Sequence, residues 1–348
     1  MKFYLAPMEG LTGHVFRNAY HKYYAPMDKY FTPFVSHPGL SHRELQDVMP
    51  EHNEGMNTVP QILTNKADEF LSIAGRLAEL GYKEVNLNLG CPSGTVVKKK
   101  RGAGMLSDLP MLETFLSEIY EKCSIDISIK TRLGMNDPEE WSLIQEIYEK
   151  FPIKELIIHP RVQKDFYKKP VRPAWFAEAL DSSSGNIPFC YNGDIFTIDD
   201  FKRFRAAFPD IDAVMLGRGI LKNPELAGVL MEICRQDEEC SSAGRGDASE
   251  TGEFCYSDIR TVPDFITVEG EFLPISEIER FRNFHSELLE GYINVMDGDT
   301  RNAMFKMKEF WFYAGQSFPE AKKALKAIKK AQSLNEYKSA VIAVFNNM

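Results

Sequence analysis

Residues 84–92, EVNLNLGCP, join a short strand pattern to a polar turn. Side chains of an extended strand alternate between two faces, so the valine and the two leucines share one face and Asn86 and Asn88 share the other. The strand stops here, because Pro92 lacks the backbone N–H that a sheet ladder needs. We therefore expect a buried strand whose apolar face packs on helices, whose amides point inward, and whose carboxyl end carries Cys91.

Seven further segments on either side have a similar apolar, β-branched or aromatic character. The eight are KFYLA (2–6), YFTPFV (30–35), TVPQIL (58–63), EVNLNLG (84–90), DISIKTR (126–132), ELIIHP (155–160), PFCYNG (188–193) and AVMLGRG (213–219). Segments between them, such as NKADEFLSIAGRLAELG (65–81), place apolar residues at helical spacing. This alternation predicts an α/β fold, a (β/α)8 TIM barrel. An open doubly wound sheet is the alternative, which the eight repeats and the lack of a GxGxxG motif after a strand disfavour.

Polar or glycine-rich groups occupy most of the predicted strand ends. They are Pro7 and Met8, Gln61, Asn88 with Cys91, Lys130 with Arg132, His159 with Arg161, Asn192–Gly193–Asp194, and Gly217–Arg218–Gly219. The active sites of (β/α)8 barrels assemble from the carboxyl ends of the strands. Structural roles remain open for some of them: Asn86 is expected to bond neighbouring backbone, Lys130 to pair with a core carboxylate if it has no anion, and His159 to be a satisfied core histidine if it binds no ligand.

These motifs, in this order, resemble the flavin-dependent tRNA-dihydrouridine synthase family. APMEGLTGHVFR (6–17) looks like the family's N-terminal signature, and NLNLGCP (86–92) looks like its active-site motif. KTRLG, HPR, NGDI and GRG then follow in register, so that the resemblance covers most of residues 1–230. One departure is Asn86, which stands where the family commonly has an acid.

The resemblance implies FMN in the barrel mouth, with NADPH or NADH as the reductant. Pro7 and Met8 would pass the edge of the flavin ring, and Gln61 and Lys130 would contact its polar atoms. Lys130 beside the reduced ring would stabilise its negative charge. The ribityl phosphate would be held by His159, Asn192, Gly193, Asp194, Gly217 and Arg218.

Cys91 is the predicted catalytic residue. Reduction of a uracil C5=C6 bond needs a hydride at C6 and a proton at C5, and a thiol with an ordinary pKa is mostly protonated at neutral pH. The alternative, an inert buried thiol, fits Cys123 and Cys190 better, since they lie within a predicted helix and strand.

Two basic segments predict contact with RNA. KKKRGAG (98–104) carries Lys98, Lys99 and Arg101, and RVQKDFYKKPVR (161–172) carries Arg161 and Tyr167. The cations would contact phosphates and Tyr167 would stack on a base turned out of its helix. Asn88 would face the uracil. The plainer alternative is a solvated run of charge.

Charge and composition divide the chain into three predicted regions. Residues 1–232 form the barrel, 233–273 an acidic, partly flexible insertion or linker, and 274–348 a helical tRNA-binding domain. Residues 232–299 hold 17 acidic against 5 basic side chains, whereas 300–348 hold 9 basic against 3 acidic, so the net charge of −9 hides a basic carboxyl-terminal region. A helical cap with solvated lysines is the alternative for that last region.

The remaining features exclude some classes of protein. No apolar run reaches the roughly 20 residues that a membrane helix needs, and six scattered cysteines suit a reducing cytoplasm. We expect no metal site, since no paired cysteine motif supports one from Cys234, Cys240 and Cys255. A monomer is the simplest expectation. Two other functions stay open: a small-molecule pyrimidine oxidoreductase, resembling dihydroorotate dehydrogenases, and an RNA-binding protein without catalysis.

Overall fold

The computed structural model describes residues 1–242, 265–268, 271–274 and 277–346. Its centre is a closed barrel of eight parallel strands in sequential order, which confirms the predicted (β/α)8 fold. The strands are β1 (Lys2–Leu5), β2 (Lys29–Val35), β3 (Thr58–Ile62), β4 (Glu84–Leu89), β5 (Asp126–Arg132), β6 (Leu156–His159), β7 (Phe189–Tyr191) and β8 (Ala213–Leu216). Pairing of β1 with β8, from Lys2 opposite Ala213 to Leu5 opposite Leu216, closes the ring.

Helices surround the barrel and follow its strands. They are α1 (His14–Tyr23), α2 (His42–Val48), α3 (Ala67–Glu79), α4 (Gly94–Val97), α5 (Leu109–Lys122), α6 (Trp141–Tyr148), α7 (Pro173–Asp181), α8 (Ile198–Ala207), α9 (Arg218–Lys222) and α10 (Leu226–Ser242). The strands β7 and β8 end earlier than predicted, because their Asn-Gly-Asp and Gly-Arg-Gly segments leave the ladder and line a cavity instead.

The two faces of β4 behave as the alternation predicts. Val85, Leu87 and Leu89 are fully buried in the layer between strands and helices. The opposite faces of the strands fill the barrel interior with a separate apolar cluster that includes Tyr4, Phe31 and six smaller residues. Burial on both faces explains why strands such as β6 (Leu156–His159) and β8 (Ala213–Leu216) are short, nearly continuous apolar runs.

The acidic region begins within a helix. The predicted boundary after residue 232 falls inside α10, which continues because Arg235 pairs with Glu232 at 2.5 Å and also with Glu239. Further on, β9 (Phe265–Val268) and β10 (Glu271–Pro274) form an antiparallel pair. The region predicted to be partly flexible is 233–273, and residues 243–264 of it lie outside the described ones.

A bundle of helices packs against α1. It consists of α11 (Glu277–Val295), α12 (Thr300–Ala314), α13 (Lys322–Lys330) and α14 (Leu334–Phe345). Phe284 of α11 is fully buried at the interface, where its ring centroid lies 5.7 Å from that of Phe16 and 5.1 Å from that of Tyr24. At the edge of this interface Arg280 of α11 pairs with Glu225 at 2.6 Å. This aromatic contact fixes the bundle beside the barrel mouth.

None of the helices in the described part of the chain is long and apolar enough to cross a bilayer. Likewise, three or more potential metal ligands do not come together anywhere in that part, and Cys255 lies outside it.

We expect Phe284→Ala to lower the free energy of unfolding by about 3–5 kcal/mol, because truncating a buried aromatic ring removes its packing and leaves a cavity. Urea denaturation measures the change. The matched control is Ile342→Ala in the same bundle, where the side chain is 58% exposed and its removal should cost less than about 0.5 kcal/mol. Equal effects of the two substitutions would show that the aromatic interface contributes nothing to stability.

Candidate active site

A cavity of about 380 Å³ opens at the carboxyl ends of the barrel strands. The predicted site residues that line it are Pro7, Met8, Gln61, Asn88, Cys91, Lys130, His159, Tyr167, Asn192, Gly193, Asp194, Gly217 and Arg218. Four predicted residues do not line it: Lys98, Lys99, Arg101 and Arg161. Residues 200 positions apart therefore meet because parallel strands present their carboxyl ends at one rim.

A chain of side-chain amides crosses the wall of this cavity. Asn86 donates from Nδ2 to Oγ of Ser128 at 3.0 Å, and its Oδ1 accepts from Nε2 of Gln61 at 2.8 Å. Oε1 of Gln61 accepts from Nδ2 of Asn88 at 2.7 Å, and Oδ1 of Asn88 accepts from the backbone N–H of Cys91 at 2.9 Å. Each amide both donates and accepts, so the orientation of every group in the chain is fixed. Asn86 thus bonds the side chains of Gln61 and Ser128 instead of the neighbouring backbone that was predicted as its partner, and a carboxylate there could not donate to Ser128.

Cys91 sits at the end of this chain, partly buried and facing the cavity. Burial raises the pKa of its thiol, and the nearby Arg132 and Lys130 oppose that rise. The thiol is accordingly protonated at neutral pH. Gly102 packs beneath the cysteine in a left-handed conformation, and a Cβ there would stand 3.0 Å from Cβ of Cys91. The second half of the basic loop is therefore a buried support for the thiol.

Lys130 points a charge into the cavity that no described residue neutralises. Its ammonium group has no hydrogen bond or ion pair with any of the described residues, which excludes the predicted alternative of a salt bridge to a core carboxylate within that part of the chain. Burial, with a smaller contribution from Arg132, lowers its pKa to about 7. A cavity that holds an uncompensated cation is suited to an anionic or electron-rich ligand.

Next to Lys130 around the barrel, the ends of β6, β7 and β8 form a cationic part of the cavity wall. Nδ1 of His159 bonds the backbone oxygen of Asn192 at 2.6 Å, and burial holds the pKa of this imidazole well below its ordinary value. Asp194 accepts from Nη1 of Arg161 at 3.0 Å and from Nη2 of Arg218 at 2.5 Å. Arg161, which the sequence assigned to the substrate, is buried beside His159 with Nη1 at 3.2 Å from Nε2.

Close approach at this wall requires glycine. A Cβ at Gly193 would lie 2.0 Å from the hydroxyl oxygen of Tyr191, and one at Gly219 would lie 2.3 Å from the backbone oxygen of Ile195. No side chain fits at either position, because atoms of the protein itself already occupy the space. Gly193 and Gly219 also line the cavity, and the loops after barrel strands seven and eight are a common site for phosphate.

Of the predicted RNA contacts, Tyr167 lines the cavity, whereas Lys98, Lys99 and Arg101 do not. Lys98 and Lys99 are exposed, with no charged partner among the described residues, whereas Arg101 pairs with Glu69 at 3.0 Å. Tyr167 is 48% exposed and its ring covers the guanidinium of Arg218, whose carbon lies 4.5 Å from the ring centroid. Lys98, Lys99 and Tyr167 are therefore exposed and available to contact a ligand.

Arg132 and Tyr313 are two of the lining residues that were not among the predicted site residues. Arg132 donates from Nε to the oxygen of Gly90 at 2.9 Å and from Nη1 to the oxygen of Val162 at 3.0 Å, which ties the Cys91 turn to the loop after β6. Arg132 lies two residues after Lys130 on β5, so both side chains point to the same face of the strand. This spacing could have identified Arg132 as a lining residue. Tyr313 reaches the cavity from α12, and no local pattern links that helix to the barrel.

Comparison with known proteins identifies the family. The family model described as "Dihydrouridine synthase (Dus)" matches residues 4–255. A protein named "Probable tRNA-dihydrouridine synthase" from Staphylococcus epidermidis is 31% identical over 232 residues, which are 64% of this chain and 69% of the relative. A "tRNA-dihydrouridine(16) synthase" from Pseudomonas putida is 30% identical over 236 residues, 65% of this chain and 72% of the relative.

Among solved structures, morphinone reductase in complex with tetrahydroNAD is similar, with a TM-score of 0.45 and 10% identity over 66% of this chain and 86% of that one. The sequence relatives carry the assignment. With the Gly-Cys-Pro turn and the polar rim in place, the chain belongs to the dihydrouridine synthase family.

Proposed function

We propose that this protein reduces the C5=C6 bond of a specific uridine in tRNA to 5,6-dihydrouridine, with FMN as cofactor and NADPH or NADH as reductant. Membership of the family and the two named relatives support the reaction and the RNA substrate. The observation that carries the proposal is the placement of a protonated thiol, Cys91, and an unpaired ammonium, Lys130, on one cavity at the rim of a barrel.

The residues present fit a flavin mononucleotide. Lys130 supplies an uncompensated positive charge for the polar edge of the ring, while Gln61, Pro7 and Met8 line the same part of the cavity. Gln61 is held by Asn86 and Asn88, so its amide presents one orientation. When bound and reduced, FMN supplies the hydride that adds to C6 of the uracil.

A single phosphate suits the wall formed by the ends of β6, β7 and β8. The guanidinium of Arg218, the side chain of Asn192 and the backbone at Gly193 and Gly217 line this wall. Neutral His159 donates its one N–H to the oxygen of Asn192 and therefore acts there as a positioning residue. Asp194 holds Arg161 and Arg218 in place, so both Asp194 and Arg161 act at this phosphate end as positioning residues. Two arginines against one carboxylate leave a net positive charge for the phosphate.

Cys91 donates the proton to C5 of the uracil. Burial keeps its thiol protonated, and the bond from its N–H to Oδ1 of Asn88 fixes the turn that carries it. Asn88 therefore has two roles. It fixes the turn that carries Cys91, and its own side chain lines the cavity in which the uracil would bind. Arg132 holds the other side of the turn through the oxygen of Gly90.

The uridine must leave its helix to reach the cavity, because C5 and C6 of a stacked base lie inside the RNA. We propose that Lys98 and Lys99 contact phosphates beside the rim and that Tyr167 stacks on the extruded base; Arg101 supports this loop through Glu69. The helical domain, residues 274–348, would hold the body of the tRNA. A tRNA substrate also argues for a cytoplasmic protein.

The first test is direct. Purified protein should be yellow and release FMN on denaturation, and with NADPH or NADH it should form dihydrouridine in tRNA taken from cells that lack its gene. Mass spectrometry of nuclease digests locates the product, and orotate and free uridine serve as small-molecule controls. A flavin-free preparation from flavin-replete cells, or reduction of orotate in place of tRNA, would refute the proposal.

We expect Cys91→Ala to retain FMN and tRNA binding and to reduce product formation by about 10²- to 10⁴-fold, the usual contribution of a positioned general acid. Flavin content, tRNA affinity and single-turnover rates measure these quantities separately. Cys123→Ala is the matched control, because that thiol precedes β5 at the opposite end of the barrel. Full activity of Cys91→Ala would remove the thiol from the mechanism.

Lys130 should make the flavin-free protein less stable at neutral pH. Its pKa is about 7 in the folded chain and about 10.4 in an unfolded one. Between these values the unfolded state binds more protons, so the contribution of Lys130 to the free energy of unfolding rises with pH across that range.

Lys130→Met removes this titration. We expect the flavin-free variant to resist urea better than the unsubstituted protein at pH 7, and the difference to shrink towards pH 10. Lys98→Met, at an exposed lysine, should show no such pH-dependent difference. A gap between Lys130→Met and the unsubstituted protein that does not change with pH would contradict the assignment of an uncompensated charge.

A further inference from the structure

A second cavity, of about 640 Å³, lies between the loop after β1 and the helices α12 and α13. Glu9, Leu11 and Tyr313 line both this cavity and the candidate active site, so the two are continuous. We call the second cavity the α12 groove. It is formed by the barrel on one side and by the helical bundle on the other, and it leads directly away from the barrel mouth.

The α12 groove exposes aromatic rings. Phe312 is 72% exposed, the highest fraction of any large apolar side chain among the described residues, and Phe305 is 48% exposed. Neither ring contributes to the buried core, although Trp311 between them in sequence is buried and donates from Nε1 to the hydroxyl of Tyr337 at 2.9 Å. The helix is therefore held by its inner aromatic face and presents Phe312 on its outer face.

Positive charge accompanies these rings. Both carboxylates that line the groove are ion-paired, Glu9 with Arg43 and Glu309 with Lys306 at 3.3 Å. Lys329 on the groove is exposed and has no charged or hydrogen-bonded partner among the described residues. The groove therefore carries excess positive charge, which complements a phosphate backbone.

The groove has a rigid frame. Nζ of Lys306 donates to the backbone oxygen of Gly10 at 3.0 Å, which ties α12 to the loop after β1. Nζ of Lys308 donates to the backbone oxygen of Ala331 at 2.5 Å, which ties α12 to the end of α13. These bonds fix α12, which carries Phe312, relative to the barrel mouth before any ligand binds.

We propose that the α12 groove binds a nucleotide next to the extruded uridine in the RNA strand, with Phe312 stacking on its base. The inference rests on the proposed function: when one uridine enters the barrel, its neighbours lose a stacking partner and must lie near the mouth. Aromatic rings beside a cationic path are the means by which proteins bind single-stranded nucleic acid without reading its sequence.

The test combines a protein variant with a changed substrate. Phe312→Ala is compared with the unsubstituted protein on tRNA in which single abasic nucleotides replace the neighbours of the reduced uridine, one position at a time. Ile342→Ala, an exposed apolar residue on the other side of the bundle, is the matched control. The measured quantity is kcat/KM for dihydrouridine formation, with flavin reduction by NADPH measured separately.

We expect Phe312→Ala to lower kcat/KM on intact tRNA by about fivefold to 100-fold, the range for loss of one base–aromatic stack. On tRNA abasic at the stacked position the same substitution should have almost no further effect, because ring and base act as a pair. Ile342→Ala and the rate of flavin reduction should not change.

Three results would overturn the inference. Phe312→Ala could match the unsubstituted protein on intact tRNA, or it could lose the same factor on every abasic tRNA, which would exclude a stack on one base. If the unsubstituted protein forms no dihydrouridine in any tRNA, the proposed function fails and this inference fails with it. Normal activity of the unsubstituted protein with an indifferent Phe312 would refute the groove assignment alone.

Discussion

Parallel pairing between β1 and β8 is the constraint on which the site depends. It closes the sheet, and closure of eight parallel strands places every carboxyl end on one rim. Met8 follows β1 and Arg218 follows β8, and only closure brings these two ends of the sheet to one cavity. The barrel therefore determines which side chains share a cavity, and the loops determine what each of them contacts.

The cations around this rim differ in how their charge is compensated. Arg161 and Arg218 share Asp194, and Arg132 donates to backbone oxygens, so all three are held in place, and Arg218 also lines the proposed phosphate position. Lys130 is held by nothing comparable and keeps a low pKa, which costs stability in the absence of a ligand. Proteins commonly keep locally unfavourable groups, such as a buried unpaired charge, at functional sites, because the function requires them.

The helical bundle belongs to the same arrangement. Aromatic packing of Phe284 on α1 fixes α12 beside the mouth, which brings Tyr313 into the cavity and leaves Phe312 exposed next to it. The bundle therefore extends the barrel site. We interpret its exposed rings and lysines as the continuation of one RNA-binding surface, which begins at Lys98 and Lys99 on the opposite loop.

Local sequence patterns were enough to predict the eight strands, their inward and outward faces, and half of the residues that line the cavity. These features follow from local periodicity and from the place of each polar group at the end of its own strand, so neighbouring residues carry the information. Only the tertiary structure decided which of them act together: that Arg161 lies beside His159, that α10 continues past residue 232, and that Tyr313 joins the mouth. The last of these joins residues about 300 positions apart, and the sharing of Asp194 by Arg161 and Arg218 joins residues over shorter separations. No short pattern encodes these contacts, because they depend on how whole elements pack.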